Sequence, residues 1–388
     1  MSSTPPSRDP APRPSPDSQP FTNKLAANGK SHAPASASSG SQEGSPEDAK
    51  DDDTPETRSF DVIVVGGGEA GNAVLEALRD EAAEATMAVI EPSQFRYEPW
   101  DWVRVGTEGR PKESTRSRRR LQIPPGVVWV RDQMSQIHPE EQRLATETGF
   151  ELAYEVLVLA TGIEMKWNRI RGLEDHLGEA GICSVYGYEQ AENAWELFTS
   201  FEGGRALFTA PSSPYKGAGT PLDVLHRVED LWRDRGVREQ IELYFTTAAT
   251  EEYAGPEYRK RVQRDAEAEQ IHVYVGYELL EVRPERQEAV FSVAKDKAQS
   301  RDVLPYDLLH VVPPMRPPDV IESSPLAYQV GPLKGFLEVI PETLQHRHHT
   351  NIFGVGDVVG VEAEKTGERA RRQAAEVAPR IRERLQSG

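Results

Sequence analysis

The run Phe60-Asp61-Val62-Ile63-Val64-Val65 leads without a break into Gly66-Gly67-Gly68-Glu69-Ala70-Gly71, and no other stretch narrows the fold so far. A short β-branched run of this kind has the pattern of a parallel strand covered on both faces. The three spaced glycines each remove a side chain for a different reason. Gly66 permits a tight turn, Gly68 lets backbone approach a pyrophosphate, and Gly71 allows a helix to pack closely on the strand. Asn72–Leu78 reads as that helix, so Gly68, Glu69 and Ala70 stand where free N–H groups and the helix dipole favour a phosphate. Met87–Ile90 predicts a second strand, ending in Glu91, 20 residues past Gly71. At that spacing a carboxylate accepts hydrogen bonds from ribose hydroxyls. A glycine turn without ligand and a solvated Glu91 is the plainer alternative. The strand context and the carboxylate spacing together favour a dinucleotide.

The alternation of strand and helix continues. Strands are expected at Val127–Val130, Val156–Ala160, Ala206–Thr209, Ile241–Phe245, Ile271–Val275, Gln287–Val293, Val303–Val312 and Ile352–Val355. Helices are expected at Tyr188–Phe198, Pro221–Arg233, Glu257–Glu269 and from about Gly367 to Leu385. The fold class is therefore α/β with two Rossmann-like dinucleotide-binding domains, the second inserted in the first. The first would occupy 59–165 and return at 301–388, and the second would occupy 166–300. Residues 1–58 are of another kind, crowded with Pro, Ser, Ala and Asp and ending in Asp51-Asp52-Asp53. Such a segment buries too little apolar surface to offset its ordering entropy and reads as a disordered acidic tail.

Charge and cysteine content exclude several classes of function. With 45 Lys and Arg against 63 Asp and Glu, the formal charge is −18, which argues against a nucleic-acid binder. No apolar run approaches the ~20 residues of a membrane span. The single cysteine, Cys183, rules out an intramolecular disulfide and any cysteine-rich metal site, and it fits a cytoplasmic compartment. His346, His348 and His349 carry no metal expectation, since ligands must converge on one point.

Two later segments decide which dinucleotide is bound. Val158-Leu159-Ala160-Thr161-Gly162 is a strand entering a small-residue turn, and Phe353-Gly354-Val355-Gly356-Asp357 is a strand ending in an acid. With the glycine fingerprint, they resemble the FAD domain of flavoproteins with two dinucleotide folds. That resemblance implies that Thr161, Gly162 and Gly356 line the cofactor and that Asp357 holds its ribityl chain. A helix N-cap role for Asp357 is compatible with it.

Longer strings sharpen the match. Glu91-Pro92-Ser93 with Tyr97-Glu98-Pro99-Trp100, Phe208 to Pro221, Leu309 to Val320 and Thr343-Leu344-Gln345-His346-Arg347 resemble the sulfide:quinone oxidoreductase family of the pyridine nucleotide-disulfide oxidoreductases. The resemblance implies an FAD-dependent oxidoreductase with a small-molecule electron donor and acceptor, quinone as the acceptor, and a position peripheral to a membrane. It also implies that Lys365, in Lys365-Thr366-Gly367, approaches the flavin's pyrimidine edge. Cationic charge and helix N-terminal amides there would steady reduced flavin.

The departures are as informative as the matches. The family's two redox cysteines fall at Gly217 and Val358, which have no thiol. Cys183 resembles a third family cysteine, and a small buried residue is its plainer reading. Where an NAD(P)H-using unit would carry a second glycine fingerprint, this chain has Ala210-Pro211-Ser212-Ser213-Pro214. The family continues beyond Gly388 with elements that touch membrane and admit quinone, whereas the last helix here is strongly charged. Catalysis by Lys365 or Cys183, a non-catalytic flavoprotein scaffold or sensor, and an NAD(P)H-dependent flavin reductase all stay open on these residues.

Overall fold

The computed structural model describes residues 57–212, 214–217, 219–249, 260, 262–264, 267, 271–295, 298–361 and 365–387. The acidic tail and most of the helix expected over Glu257–Glu269 lie outside these residues.

Strand β1 (Arg58–Val65) forms because Val62, Ile63 and Val64 are wholly buried, leaving no polar face. Helix α1 (Glu69–Glu81) follows and turns Val74, Leu75 and Leu78 onto the sheet. It begins three residues before the expected start, since Asn72 N already donates to Gly68 O at 3.0 Å. Strand β2 (Met87–Ile90) closes the unit, parallel to β1 with Val65 opposite Ile90.

The first sheet grows on both sides of this pair. Val128–Val130 adds beyond β2, and the long strand Glu151–Leu159 adds beyond β1. Glu151–Leu159 changes partners along its length. Its start pairs antiparallel with Arg143–Thr146, and its end pairs parallel with Ile352–Gly354. The returning strand therefore comes from near the chain's end, which makes the second domain an insertion in the first. Val65, Ile90, Leu159 and Gly354 finish together at one edge of the sheet. In open α/β sheets, ligands bind just outside such carboxyl ends.

The second sheet is fully parallel, in the order Ile182–Cys183, Leu308–His310, Gly204–Ala210, Ile241–Thr247, His272–Val275. Phe198, Phe208, Trp232 and Phe245 fill its core. A three-stranded antiparallel meander (Tyr277–Arg283, Glu288–Lys295, Ala298–Pro305) precedes the return. The single extended run expected over Val303–Val312 is two strands. Asp307 stands between them, and its Oδ2 accepts from Arg205 N at 2.7 Å, so the chain leaves the meander and enters the parallel sheet.

The last helix, Gly367–Ser387, buries Ala370, Ala374, Val377, Ala378 and Ile381 along one stripe against the first sheet's core and turns its arginines outward. Among the described residues, no helix is long and apolar enough to cross a membrane.

Candidate functional site

At the common edge of the first sheet lies a cavity of about 470 Å³. Gly66, Gly68, Glu69 and Ala70 reach it from the β1–α1 turn, and Glu91 reaches it from the end of β2. Thr161 and Gly162 enter from the third strand end, and Gly356 and Asp357 from the fourth. Lys365 closes it ahead of the last helix. Residues spread over 300 positions of sequence thus meet in one place because four strands end in register.

The glycine turn is tight on one side and open on the other. Gly66 has φ +102°, and a Cβ there would meet Ala160 O at 2.4 Å. A Cβ on Gly71 would lie 1.8 Å from Gly66 O, so α1 crosses the turn in direct backbone contact. At Gly68 a Cβ would meet nothing within 4 Å. That open side faces the cavity and leaves the first amides of α1 accessible to an anion. Gly71 itself lies beneath the turn, outside the lining.

Glu91 is held before any ligand arrives. Its Oε2 accepts from Gly67 N at 2.9 Å and its Oε1 from Ser93 N at 2.9 Å. Arg119 lies behind it, buried. Its Nε donates to Ser93 O at 2.9 Å, its Nη2 to Phe95 O at 2.8 Å, and its Nη1 to Gly67 O. Burial pulls the guanidinium's pKa down, and the nearby Glu91 pulls it back up. Nothing in the sequence marks Arg119 as part of the site. It sits among Arg116, Arg118 and Arg120, all exposed, and nothing local distinguishes it.

Asp357 lies in a single 3₁₀ turn, Gly356–Val358, ahead of the helix that begins at Gly367. It therefore does not cap that helix, and its carboxylate remains at the cavity wall. Gly356 has φ +83°, and its N–H donates to Gln373 Oε1 at 2.8 Å, which ties the turn to the helix. Lys365 is nearly buried. Its Nζ donates to Val359 O at 2.7 Å and lies 4.9 Å from the centre of the Phe336 ring. Burial lowers its pKa to about 8, and Asp357 opposes that shift.

The lining also holds the aromatic side chains Tyr97, Trp100, Trp102 and Tyr186, together with Met165 and Val185. Gly217 adjoins Trp100 with φ +68°. A Cβ there would meet Thr220 Oγ1 at 2.2 Å and the Trp100 ring at 2.5 Å. Val358 is wholly buried in the core of the first sheet. Cys183 is sealed in the second sheet opposite His310 and is not part of the lining. Burial raises its pKa well above the ordinary thiol range. Arg96 and Arg371, which sequence reading also passed over, stand at the cavity's charged end.

Two Rossmann-like domains, one inserted in the other, with a cavity at the strand ends of the first, are the fold shared by the FAD/NAD(P)-binding oxidoreductases. No protein-family model matches the chain. It is 34% identical over 308 residues to the mitochondrial sulfide:quinone oxidoreductase of Mus musculus, covering 79% of this chain and 67% of that protein. The solved sulfide:quinone oxidoreductase of Aquifex aeolicus superposes with a TM-score of 0.67 at 17% identity, over 82% of this chain and 75% of that one. A chain in the mitochondrial ATP synthase structure of Tetrahymena thermophila superposes at 0.73 with 20% identity, over 86% and 81%. The chain belongs to the sulfide:quinone oxidoreductase family.

Proposed function

We propose that the protein is an FAD-dependent oxidoreductase that passes electrons through bound flavin and does not oxidise sulfide by a two-cysteine relay. The observation that carries the reading is the convergence of the β1–α1 glycine turn, Glu91, the Thr161-Gly162 turn, Asp357 and Lys365 on one cavity. The residues present fit a flavin dinucleotide. Gly68 offers an open backbone cradle, and Thr161 Oγ1 is buried there without a hydrogen-bond partner.

In this reading the α1 amides and Gly68 hold the diphosphate, Glu91 the adenosine ribose and Asp357 the polyol chain. When bound, the flavin supplies electron uptake and delivery. Lys365 holds a proton beside it on Nζ and can offer positive charge where reduced flavin becomes anionic. Tyr97, Trp102 and Tyr186 in the lining would offer a bound flavin an apolar, aromatic wall. Family membership and the relatives' names point to quinone as acceptor and to a mitochondrial setting, both of which are proposals for this chain.

Sulfide as donor is disfavoured by Gly217 and Val358. Neither carries a thiol, and Trp100 and Thr220 fill the space where a side chain on Gly217 would go. The same observation supports a second reading, a flavin-bound scaffold or sensor without turnover. An NAD(P)H-dependent flavin reductase is disfavoured by Pro211 and Pro214, which remove amide donors at the second domain's first turn.

One experiment separates the three. Purified full-length protein should be yellow with a bound-flavin spectrum. Anaerobic titration with sulfide, with a persulfide and with NADH then tests each donor. Bleaching by a persulfide or another small donor but not by sulfide supports the oxidoreductase as proposed, bleaching by sulfide overturns the exclusion of sulfide, bleaching by NADH supports the reductase, and a flavin that no donor bleaches supports the scaffold. A colourless protein that does not take up added FAD overturns all three.

Lys365 yields a prediction independent of turnover. Its folded pKa of about 8 lies below its ordinary 10.5. Below pH 8 both folded and unfolded chains hold the proton. Between 8 and 10.5 only the unfolded chain does, so this group's contribution to stability rises with pH across that window. Lys365→Met removes a buried cation at the cost of one hydrogen bond and a ring contact. The flavin-free variant is expected to gain about 2 kcal/mol at pH 7. Urea unfolding from pH 7 to 10 should show the wild type closing on the variant as pH rises. A gap that stays constant would contradict the assignment.

A further inference from the structure

Glu69 is the first residue of α1, and its side chain is partly buried at the cavity's charged end. Both of its carboxylate oxygens are engaged by arginines. Oε2 pairs with Nη2 of Arg96, from the strand Phe95–Tyr97, and Oε1 pairs with Nη1 of Arg371, from the last helix. Arg96 Nε also reaches Glu98 Oε1 at 3.2 Å. Glu69, Arg96, Glu98 and Arg371 all line the cavity, next to the open backbone of Gly68.

This arrangement is unusual for a phosphate site. The helix N-terminus and two guanidinium groups are suited to an anion, yet a carboxylate of the chain itself already joins the arginines. We infer that Glu69 is a built-in anion that competes with the diphosphate of the bound dinucleotide for Arg96 and Arg371, and that binding transfers the two arginines from carboxylate to phosphate. The inference rests on the proposed dinucleotide reading and adds to it two ligand-binding residues and an internal competitor. Because binding exchanges one set of ion pairs for another, few counterions are taken up or released. Affinity of the native chain should therefore depend only weakly on salt. Glu69 then sets how tightly the cofactor is held, trading affinity for release.

The test uses the full chain stripped of flavin and titrated at low and high salt with FAD, with ADP and with riboflavin, which lacks the phosphates. Binding is followed by tryptophan and flavin fluorescence. Glu69→Gln is expected to bind FAD and ADP about tenfold more tightly at low salt, with a steeper loss as salt rises, and to leave riboflavin unchanged. Arg371→Gln, at an exposed position on the last helix, is expected to weaken FAD and ADP several-fold and also to leave riboflavin unchanged. The inference is overturned if Glu69→Gln binds FAD no more tightly than the native chain, or if riboflavin shifts equally. Retention of FAD binding by the native chain in that case leaves the cofactor reading intact. Failure of every form to bind FAD removes both.

Discussion

Gly71→Ala is expected to cost more than ~4 kcal/mol, because the added Cβ forces α1 away from the glycine turn. The added Cβ would lie 1.8 Å from Gly66 O and 3.0 Å from Gly66 C, both backbone atoms. A flexible side chain could swing aside, but Gly66 cannot. Its N–H is committed to Ile90 O at 2.9 Å, and its own φ of +102° leaves it against Ala160 O. Relief would require lifting α1 off β1 and exposing Val74, Leu75 and Leu78. Gly68→Ala, three residues earlier, provides the contrast. Gly68 has φ −74° and open space where its Cβ would go, so stability should change by no more than ~0.5 kcal/mol. That Cβ would nevertheless project into the proposed cofactor cradle and should lower FAD affinity at least tenfold. Urea unfolding and FAD titration on the two variants separate what the fingerprint does for the fold from what it does for the ligand. Equal stability of the two variants would contradict the packing argument.

The same contrast explains what the sequence discloses. β1, β2 and the end of Glu151–Leu159 are apolar runs buried on both faces, and such runs are visible by composition alone. The first half of Glu151–Leu159 was not visible. There Leu152 and Tyr154 are buried while Glu151, Ala153 and Glu155 are only partly covered, the alternation of a strand packed on one face, where its neighbour Arg143–Thr146 runs antiparallel. Helix Pro99–Glu108 carries an equally weak signal in the sequence. Its buried residues, Trp102, Val105, Gly106 and Thr107, include too few large apolar side chains to set a helical period. The glycine turn, Glu91, Thr161-Gly162, Asp357 and Lys365 were legible because each follows a recognisable strand or belongs to a recognisable string. The charged end of the cavity was not. Glu69 and Arg371 lie 302 residues apart, and only the return of the last helix to α1 brings them together.

Arg119→Met tests the residue that sequence reading could least have singled out. Three carbonyl groups, on Gly67, Ser93 and Phe95, point into one buried guanidinium, and Glu91 lies 3.7 Å from it. Methionine matches much of the volume but donates nothing, so those carbonyls lose their shared partner and Glu91 loses its neighbouring cation. Breaking a buried charge arrangement on one side typically costs 3–5 kcal/mol, and about that loss is expected here. Arg119→Lys should recover little. A lysine has one nitrogen, whereas these acceptors are spread around a planar fork, and charge alone does not restore the geometry. The damage should also reach the ligand, because Gly67 and Ser93 are the residues whose amides hold Glu91. Trp129 reports on the same spot, as its Nε1 donates to Glu91 O at 2.8 Å. Both variants are thus expected to show a lower urea midpoint with an unchanged slope, together with altered tryptophan emission in the folded baseline and weakened FAD binding. A lysine variant as stable as the native chain would show that Arg119 contributes charge and not a fitted set of donors.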